Sequence, residues 1–510
     1  MTEGTMLDPH TTPTIPAARV TTVLRILVLS TFVVLLNETI MVNAIPRLMR
    51  HFEVSAAAAG WLSTAFMLTM AVVIPVTGWF LQRVTTRTAF GLAMALFLAG
   101  TALAAAAPTF PVLLAARVIQ AGGTAVMMPL LMTTLMTLVP PQDRGRVMGN
   151  ITLVISVAPA LGPAASGVLL QLGTWRLLFL AVLPIAGAMA FFGRRHLVNI
   201  GEPQAGPIDW LSVPLAAVGF GALVYGLSGL GAESSAQAPL PPAVTTLVGG
   251  VMVALFVWRQ LALQRSSTPL LDLRTLTYRH FSVALGLMCL SFMALMGAFI
   301  LLPIYLQEVV GLSSLQTGLL LIPGGLTMGL LGPQVGKLYD RLGAPRLVVP
   351  GAVLTAVCLA LFALTDAQTS PWLVLALHVA LSAGMAFVFT PVFTSGLAVL
   401  PPHLYPHGSA ILGSLQQVAA AAGTALVISV MSGRAASAGA AGADATGALE
   451  TGIRWGFGVG AAIGGLTVLV ALLVRTPPAP QQPSESSAAS EVQDDEDGTT
   501  ADQAAQTPAG

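Results

Sequence analysis

Charge is what this 510-residue sequence has least of. Asp, Glu, Lys and Arg make up only 8% of it, against about 25% in soluble domains, and mean hydropathy is +0.83. That balance excludes a water-soluble globular domain and a disordered chain. Lys337 is the single lysine, and the cations are too dilute over apolar surface to suggest nucleic-acid binding. Cysteine is nearly absent: Cys289 and Cys358 both lie in apolar runs and read as free thiols, which excludes a disulfide scaffold. The nucleotide-binding loop G-x-x-x-x-G-K-[ST] is missing, since Leu338 follows Gly336-Lys337, so ATP-driven chemistry is not expected. Nor is there a nucleophile elbow, a pair of catalytic carboxylates or a Cys/His cluster with metal spacing. His403 and His407 are four apart but sit in a Pro-rich stretch read as a loop. No enzyme activity, cofactor or metal is expected.

Apolar runs are what the sequence has most of. Crossing ~30 Å of hydrocarbon takes ~20 mostly apolar residues in a helix. Fourteen such runs occur, near 24–45, 57–80, 88–107, 111–139, 147–171, 176–193, 210–231, 243–263, 281–304, 315–335, 347–365, 371–394, 408–432 and 452–474. They are too long and too uniform for the strands of a membrane barrel. An even count puts both termini on one side. That side then gathers Arg83, Arg87, Arg144, Arg146, Arg194, Arg195, Arg259, Arg274, Lys337, Arg341 and Arg346, while the other holds Arg47, Arg50, Arg176, Arg434 and Arg454. The excess of cations assigns the first side to the cytoplasm. Arginine and alanine in place of lysine point to a GC-rich bacterium, hence to its inner, cytoplasmic membrane. The end of the chain, rich in Pro, Ser and acid (Glu485, Asp494, Asp495, Glu496 and Asp497 among them), reads as a disordered tail. The Ala/Gly-rich segment 433–450 reads as a flexible outer loop.

The chain also repeats. Ser55, Gly60 and Gly78 recur as Ser313, Gly318 and Gly336 at an offset of 258. Further on, Gly123, Val157 and Gly162 recur as Gly384, Val418 and Gly423 at 261. Six spans do not fill that offset; two more spans inserted between two six-span halves do. The expected layout is a cytoplasmic N-terminus at 1–23, a six-helix bundle at 24–193, a linker with two further transmembrane helices at 194–279, a second six-helix bundle at 280–474 and an acidic cytoplasmic tail at 475–510. Related halves with a central site are a usual construction of secondary transporters.

The loop after the tenth span reads Gly336-Lys-Leu-Tyr-Asp340-Arg341-Leu-Gly343-Ala-Pro-Arg346. It resembles the cytoplasmic-loop signature G-x-L-x-D-R-x-G-x-R of the major facilitator superfamily. The copy after span 2, Gly78-Trp-Phe-Leu-Gln82-Arg83-Val-Thr85-Thr86-Arg87, has Gln82 for the acid. The resemblance implies a gating role for Gly78, Arg83, Arg87, Gly336, Asp340, Arg341 and Arg346, through charge-assisted bonds that hold one access state. In span 5, Ala158-Pro159-Ala-Leu-Gly162-Pro163-Ala-Ala-Ser166-Gly167 looks like the antiporter motif G-x-x-x-G-P-x-x-G-G. By that resemblance Gly162, Pro163 and Gly167 form a tight, bendable seam.

Span 1 reads Leu36-Asn37-Glu38-Thr39-Ile40-Met41-Val42-Asn43-Ala44-Ile45-Pro46. It resembles the first-span signature of the fourteen-helix drug:proton antiporters, with Asn37 at the usual Asp and Glu38 one residue later, the Asn-Glu-Thr start of lincomycin-resistance-type exporters. Span 4 carries Arg117-Val-Ile-Gln120-Ala-Gly-Gly123, similar to the family's R-x-x-q-G-x-G. At 1.5 Å per residue, Glu38 and Arg117 lie ~13 Å and ~9 Å below the same face. A charge inside a span is costly and marks a functional site by default. A carboxyl in low dielectric stays protonated more readily, and a cation nearby opposes that, so proton and cationic cargo compete for Glu38. At the repeat offset Arg117 maps onto His378, a titratable group at similar depth. Proton coupling is therefore expected of Glu38, Arg117 and His378. Asn37, Asn43, Gln120 and the pair Tyr305 and Glu308, from a stretch resembling the family's L-P-x-Y-x-Q-x-x-x-G-x-S, are expected around the substrate cavity.

These readings converge on an all-α membrane protein of the major facilitator fold, fourteen transmembrane helices in two six-helix bundles plus two inserted helices. The function they imply is monomeric, proton-driven, multidrug or antibiotic efflux by alternating access, with hydrophobic small molecules, cationic ones among them, as cargo and the lipid bilayer as surroundings. A proton-coupled lipid or metabolite exporter is the alternative within transport. A non-transporting membrane sensor or scaffold is the alternative outside it, and leaves the buried charges and repeated halves unexplained.

Overall fold

The computed structural model describes residues 16–41, 44–200, 203, 206, 208–230, 240–264 and 269–475. Helices dominate. They are α1 (Ala17–Ile40), the short α2 (Ile45–Phe52), α3 (Ala56–Arg83), α4 (Thr86–Ala106), α5 (Phe110–Leu138), α6 (Arg144–Leu172), α7 (Arg176–His196), α8 (Ser212–Leu230), α9 (Pro242–Leu263), α10 (Arg279–Ile304), α11 (Ser314–Leu342), α12 (Pro345–Phe362), α13 (Pro371–Ala398), α14 (Tyr405–Ala440) and α15 (Ala445–Ala471). Thirteen of the long helices are apolar enough to cross a membrane, and α6, 29 residues long, occupies the place of span 5. Large apolar side chains such as Leu172, Trp258, Leu315 and Leu469 stand exposed on the outside, as a lipid-facing surface requires.

Local chemistry sets the helix ends, and it repeats with the sequence. Ser55 caps α3 by accepting from the Ala58 N–H; Ser313, 258 residues on, caps α11 by accepting from Gln316. Short 3-10 turns, Pro141–Asp143 and Pro402–Leu404, precede α6 and α14 at an offset of 261. By the sequence repeat, α1 and α3–α7 make one half and α10–α15 the other. Each packs closely through glycine: a Cβ at Gly123 would lie 2.3 Å from Ala93 O, and one at Gly384 2.7 Å from Thr355 Oγ1.

The Ala/Gly-rich segment 433–450 is not a loop. Alanine is the strongest helix former, so α14 runs on to Ala440 and turns through Gly442, at φ +94°, directly into α15.

The inserted hairpin α8–α9 is pressed together at Gly249, where a Cβ would lie 2.3 Å from Leu223 N. Helix α8 packs on α3 of one half and α14 of the other, with Trp61 stacked on Tyr225 at 5.5 Å. At its loop end, Arg259 grips Asp209 with two bonds of 2.7 and 2.6 Å. Arg259 thereby holds the Asp209 carboxyl down at about 2, below its ordinary 3.8. A carboxyl more acidic in the folded chain stabilises the fold above its unfolded value and loses that contribution as pH falls through the folded one. Asp209→Asn is expected to cost ~1 kcal/mol at pH 7. The melting curves of variant and parent should converge as the pH is lowered from about 4 toward 2.

Candidate functional site: a buried polar core and a one-sided seal

Arg117 is 1% exposed inside the first half. Its position follows from α5 lying tightly on α4, where a Cβ at Gly100 would come within 2.6 Å of Gln120 N. The guanidinium is satisfied by dipoles. Nη1 donates to Gln120 Oε1 at 2.6 Å and to Asn37 Oδ1 at 3.4 Å, and Nε donates to Leu62 O at 3.4 Å. Its carbon sits 4.2 Å over the Phe66 ring, a cation–π contact. Gln120 passes the chain on, donating to Thr101 Oγ1 at 2.7 Å, which donates to Phe97 O at 2.6 Å. No carboxylate pairs with this cation within 4 Å among the described residues.

Glu38 is the acid within its electrostatic reach. Nine residues separate it from lipid-exposed Leu29, which puts it about 180° round the helix, on the inward face. Its neighbours are committed: Asn37 to Arg117, and Thr39 to Leu36 O at 3.0 Å and to Ala158 O of α6 at 3.4 Å. Glu38, partly buried between them, makes no hydrogen bond or ion pair with the described residues. Gly162 is where α6 meets α1, since a Cβ there would fall 2.1 Å from Thr39 Oγ1; Gly167 borders open space. The side chain of Pro163, and Asn43 altogether, lie outside the described residues.

His378 takes up the corresponding position in the second half. Its Nε2 bonds Leu321 O of α11 at 3.2 Å, as Arg117 bonds Leu62 O of α3. Gly324, the repeat equivalent of Phe66, leaves the space the imidazole fills: a Cβ there would be 2.2 Å from Nε2. Its Nδ1 is buried without a hydrogen-bond partner among the described residues.

Three of the residues expected around a cavity are buried in hydrogen-bond networks instead. Asn37 and Gln120 are buried in the Arg117 network. Tyr305 is buried with its hydroxyl donated to Asp366 O at 2.7 Å, tying α10 to the segment before α13. Glu308 is exposed in the π-helical turn Tyr305–Val309. Polar side chains inside an apolar bundle must first satisfy one another, and that demand claims the first three.

The two halves are joined at the arginine-rich loop face, hereafter the basic face. Asp340 accepts from the backbone N–H groups of Gly145 and Arg146, both at 2.8 Å. Those are unpaired donors at the positive end of α6. Beneath them α6 and α11 touch backbone to backbone: a Cβ at Gly336 would lie 2.0 Å from Gly145 O and one at Gly149 2.2 Å from Gly332 O. Thr390 donates to Thr152 Oγ1 at 2.9 Å, and Thr133 and Ser409 share a bond of 3.3 Å. The repeat-related pair Arg144 and Tyr405 meet across the seam at 3.4 Å. Where Asp340 caps a helix, its counterpart Gln82 donates to His403 O at 2.7 Å. A cavity of about 190 Å³ remains here, lined by Gln82, Thr133, Thr134, Thr137, His403 and Pro406 among others. Of the other gating candidates, Arg83 stacks on Trp79 and reaches Gly206 O, Arg87 bonds Arg194 O within the first half, and Arg341 and Arg346 are exposed.

On the opposite face the corresponding bonds stay within one half: Arg47 to Gly173 O, Arg176 to Ala107 O, Arg454 to Ala363 O. Sequence reasoning passed over Gly149 and Gly332, although Gly145-x-x-x-Gly149 and Gly332-x-x-x-Gly336 both carry the small-residue spacing of close helix pairs.

Two related six-helix halves, a charged network in the apolar interior and bonds between the halves at the basic face are the make-up of a membrane transporter. The sequence model of the Major Facilitator Superfamily matches residues 27–424, and the chain belongs to that family. It is 39% identical over 462 residues to the uncharacterized MFS-type transporter YcnB of Bacillus subtilis, covering 90% of this chain and 96% of that one. It is 38% identical over 401 residues to the lincomycin resistance protein LmrB of Listeria monocytogenes, covering 79% and 84%. Over 381 residues it is 32% identical to a multidrug resistance protein B homolog of Mycobacterium tuberculosis, covering 74% and 69%. Among solved structures, the human organic anion transporter MFSD10 shares the fold with a TM-score of 0.63 at 18% identity, covering 90% of this chain and 100% of that one.

Proposed function

We propose that the protein is a proton-driven drug exporter of the bacterial cytoplasmic membrane, with the basic face and both termini in the cytoplasm and a carboxyl on α1 as the proton carrier. The observation that carries this reading is Glu38: an acid on the inward face of α1, next to a buried cation already satisfied by neutral groups, and free of any bond to the described residues. Such a carboxyl is available to exchange a proton for cargo. Arg117 sets the local field, and His378 with its unpartnered Nδ1 is a second proton site. The cation excess at the basic face supports the orientation, and on that orientation the bonds between the halves close the cytoplasmic side. Relatives named for lincomycin and multidrug resistance support a hydrophobic drug as cargo.

Binding energy cannot concentrate a drug. One charge moving through 100 mV supplies ~2.3 kcal/mol, enough for about a fiftyfold gradient. The test is energised inside-out vesicles with lincomycin or a cationic dye and an internal pH probe. Addition of drug should raise the internal pH as drug enters. Drug entry without proton movement overturns the coupling. Proton movement with lipid or metabolite but with no drug overturns the cargo.

A further inference from the structure

Residues 269–273 and Thr275, between the inserted hairpin and α10, are buried in the seam of the basic face. Leu270, Leu271, Asp272 and Thr275 are all hidden. Five pieces of chain meet there. The Asp272 N–H donates to His407 Nδ1 of α14 at 3.2 Å, which puts the ring proton on Nε2. The Leu271 N–H donates to Gln260 Oε1 of α9 at 3.1 Å, and Gln260 Nε2 donates to Ser212 Oγ of α8 at 2.7 Å. Ser212 continues the chain to Asp209 and its Arg259. On the far side is α3: a Cβ at Gly78 would stand 2.8 Å from His407 Nδ1 and 3.3 Å from Leu271 Cδ1. The Asp272 carboxylate is held by Arg274 at 2.7 and 3.0 Å.

We propose that residues 270–275 are a wedge in the cytoplasmic gate, and that His407 is the positioning residue that locks it. The inference rests on the transporter reading above for the word gate, and on the contacts alone for the wedge. Helices α3 and α14 belong to different halves, so opening this face separates them. The wedge touches both and is fastened to α8 and α9 by continuous hydrogen bonds. Separation must therefore break the Asp272–His407 bond or the Leu271–Gly78 contact. The inserted hairpin is thus a part of the gate that braces the seam whose motif copy lost its acid: Gln82 replaces the carboxylate that Asp340 supplies on the other seam. Buried polar networks of this kind specify one arrangement because a half-satisfied network is costly.

The experiment reads gate opening directly. A reporter, Thr134→Cys, buried at the seam cavity, is placed on a background with Cys289→Ser and Cys358→Ser, and maleimide labelling is timed in purified, monodisperse protein in detergent. His407→Leu removes the acceptor; His407→Asn offers an oxygen in the same place. Labelling should run about five- to tenfold faster in His407→Leu, the effect of losing one buried hydrogen bond on a two-state equilibrium. It should be faster too in Leu271→Ala, and stay near the parent rate in His407→Asn and in the lipid-facing control Leu255→Ala. Unchanged labelling in both His407→Leu and Leu271→Ala overturns the wedge, and so does equal acceleration in either control. Because the readout needs no drug or proton gradient, a failed transport assay would leave this result standing on its own.

Discussion

Replacing Glu38 with Gln is expected to abolish drug-driven proton movement while leaving the protein in the membrane at parental levels. Gln keeps the size and polarity of the side chain and removes the exchangeable proton. The Arg117 network is held by Asn37, Gln120 and Leu62 O, none of which bonds to Glu38, so the fold does not depend on the acid. Drug accumulation in energised vesicles should fall to passive equilibration, a loss of about fiftyfold for each proton coupled across 100 mV. Exchange of drug for drug without a gradient should persist. Retained proton movement would remove Glu38 as the carrier and leave His378 as the next candidate.

Gly149→Val should be as severe by a different route. The Cβ position at Gly149 is 2.2 Å from Gly332 O and 2.8 Å from Pro333 Cα, backbone atoms that cannot swing aside. A branched side chain forces α6 and α11 apart, and with them the Asp340 contact to the α6 N-terminus one turn away. The protein should then be unable to seal the basic face. Transport is expected to drop about a hundredfold, as for a few kcal/mol set against one state of a two-state cycle, with that face labelled by impermeant reagents throughout. Normal transport by Gly149→Val would show that the seam seen here is not part of the cycle.

The architecture was legible because the apolar runs and the 258–261 offset are both long-range regularities, and each recurs in the helices, caps and 3-10 turns. The buried Arg117 was legible for its cost in a membrane. What it bonds to was not. Glu38 and Asn37 are neighbours in sequence about 100° apart on the helix, and only the packing of α1 on α5 decides that the amide, not the acid, reaches the guanidinium. Asn37, Gln120 and Tyr305 were expected beside a cavity because they are polar, yet hydrogen-bonding demand inside the bundle claims all three. The prolines around His407 suggest a loop. Pro406 instead sits in the first turn of α14, where its missing N–H costs nothing. The wedge left no signal in its own composition, since its burial depends on Gly78 and Gln260, far away in the chain.

The buried Arg117 reaches into the energetics of exchange. A guanidinium does not discharge in the pH range of a cell, so Arg117 and Glu38 together are neutral when the acid is ionised and positive when it is protonated. A monovalent cation swapped for one proton then moves no net charge, and such a cycle runs on the pH difference alone. An uncharged cargo swapped for one proton is electrogenic and draws on voltage as well. A fixed charge that returns with the protein each cycle adds nothing to that balance, so under such exchange the passenger alone would decide which half of the proton motive force does the lifting.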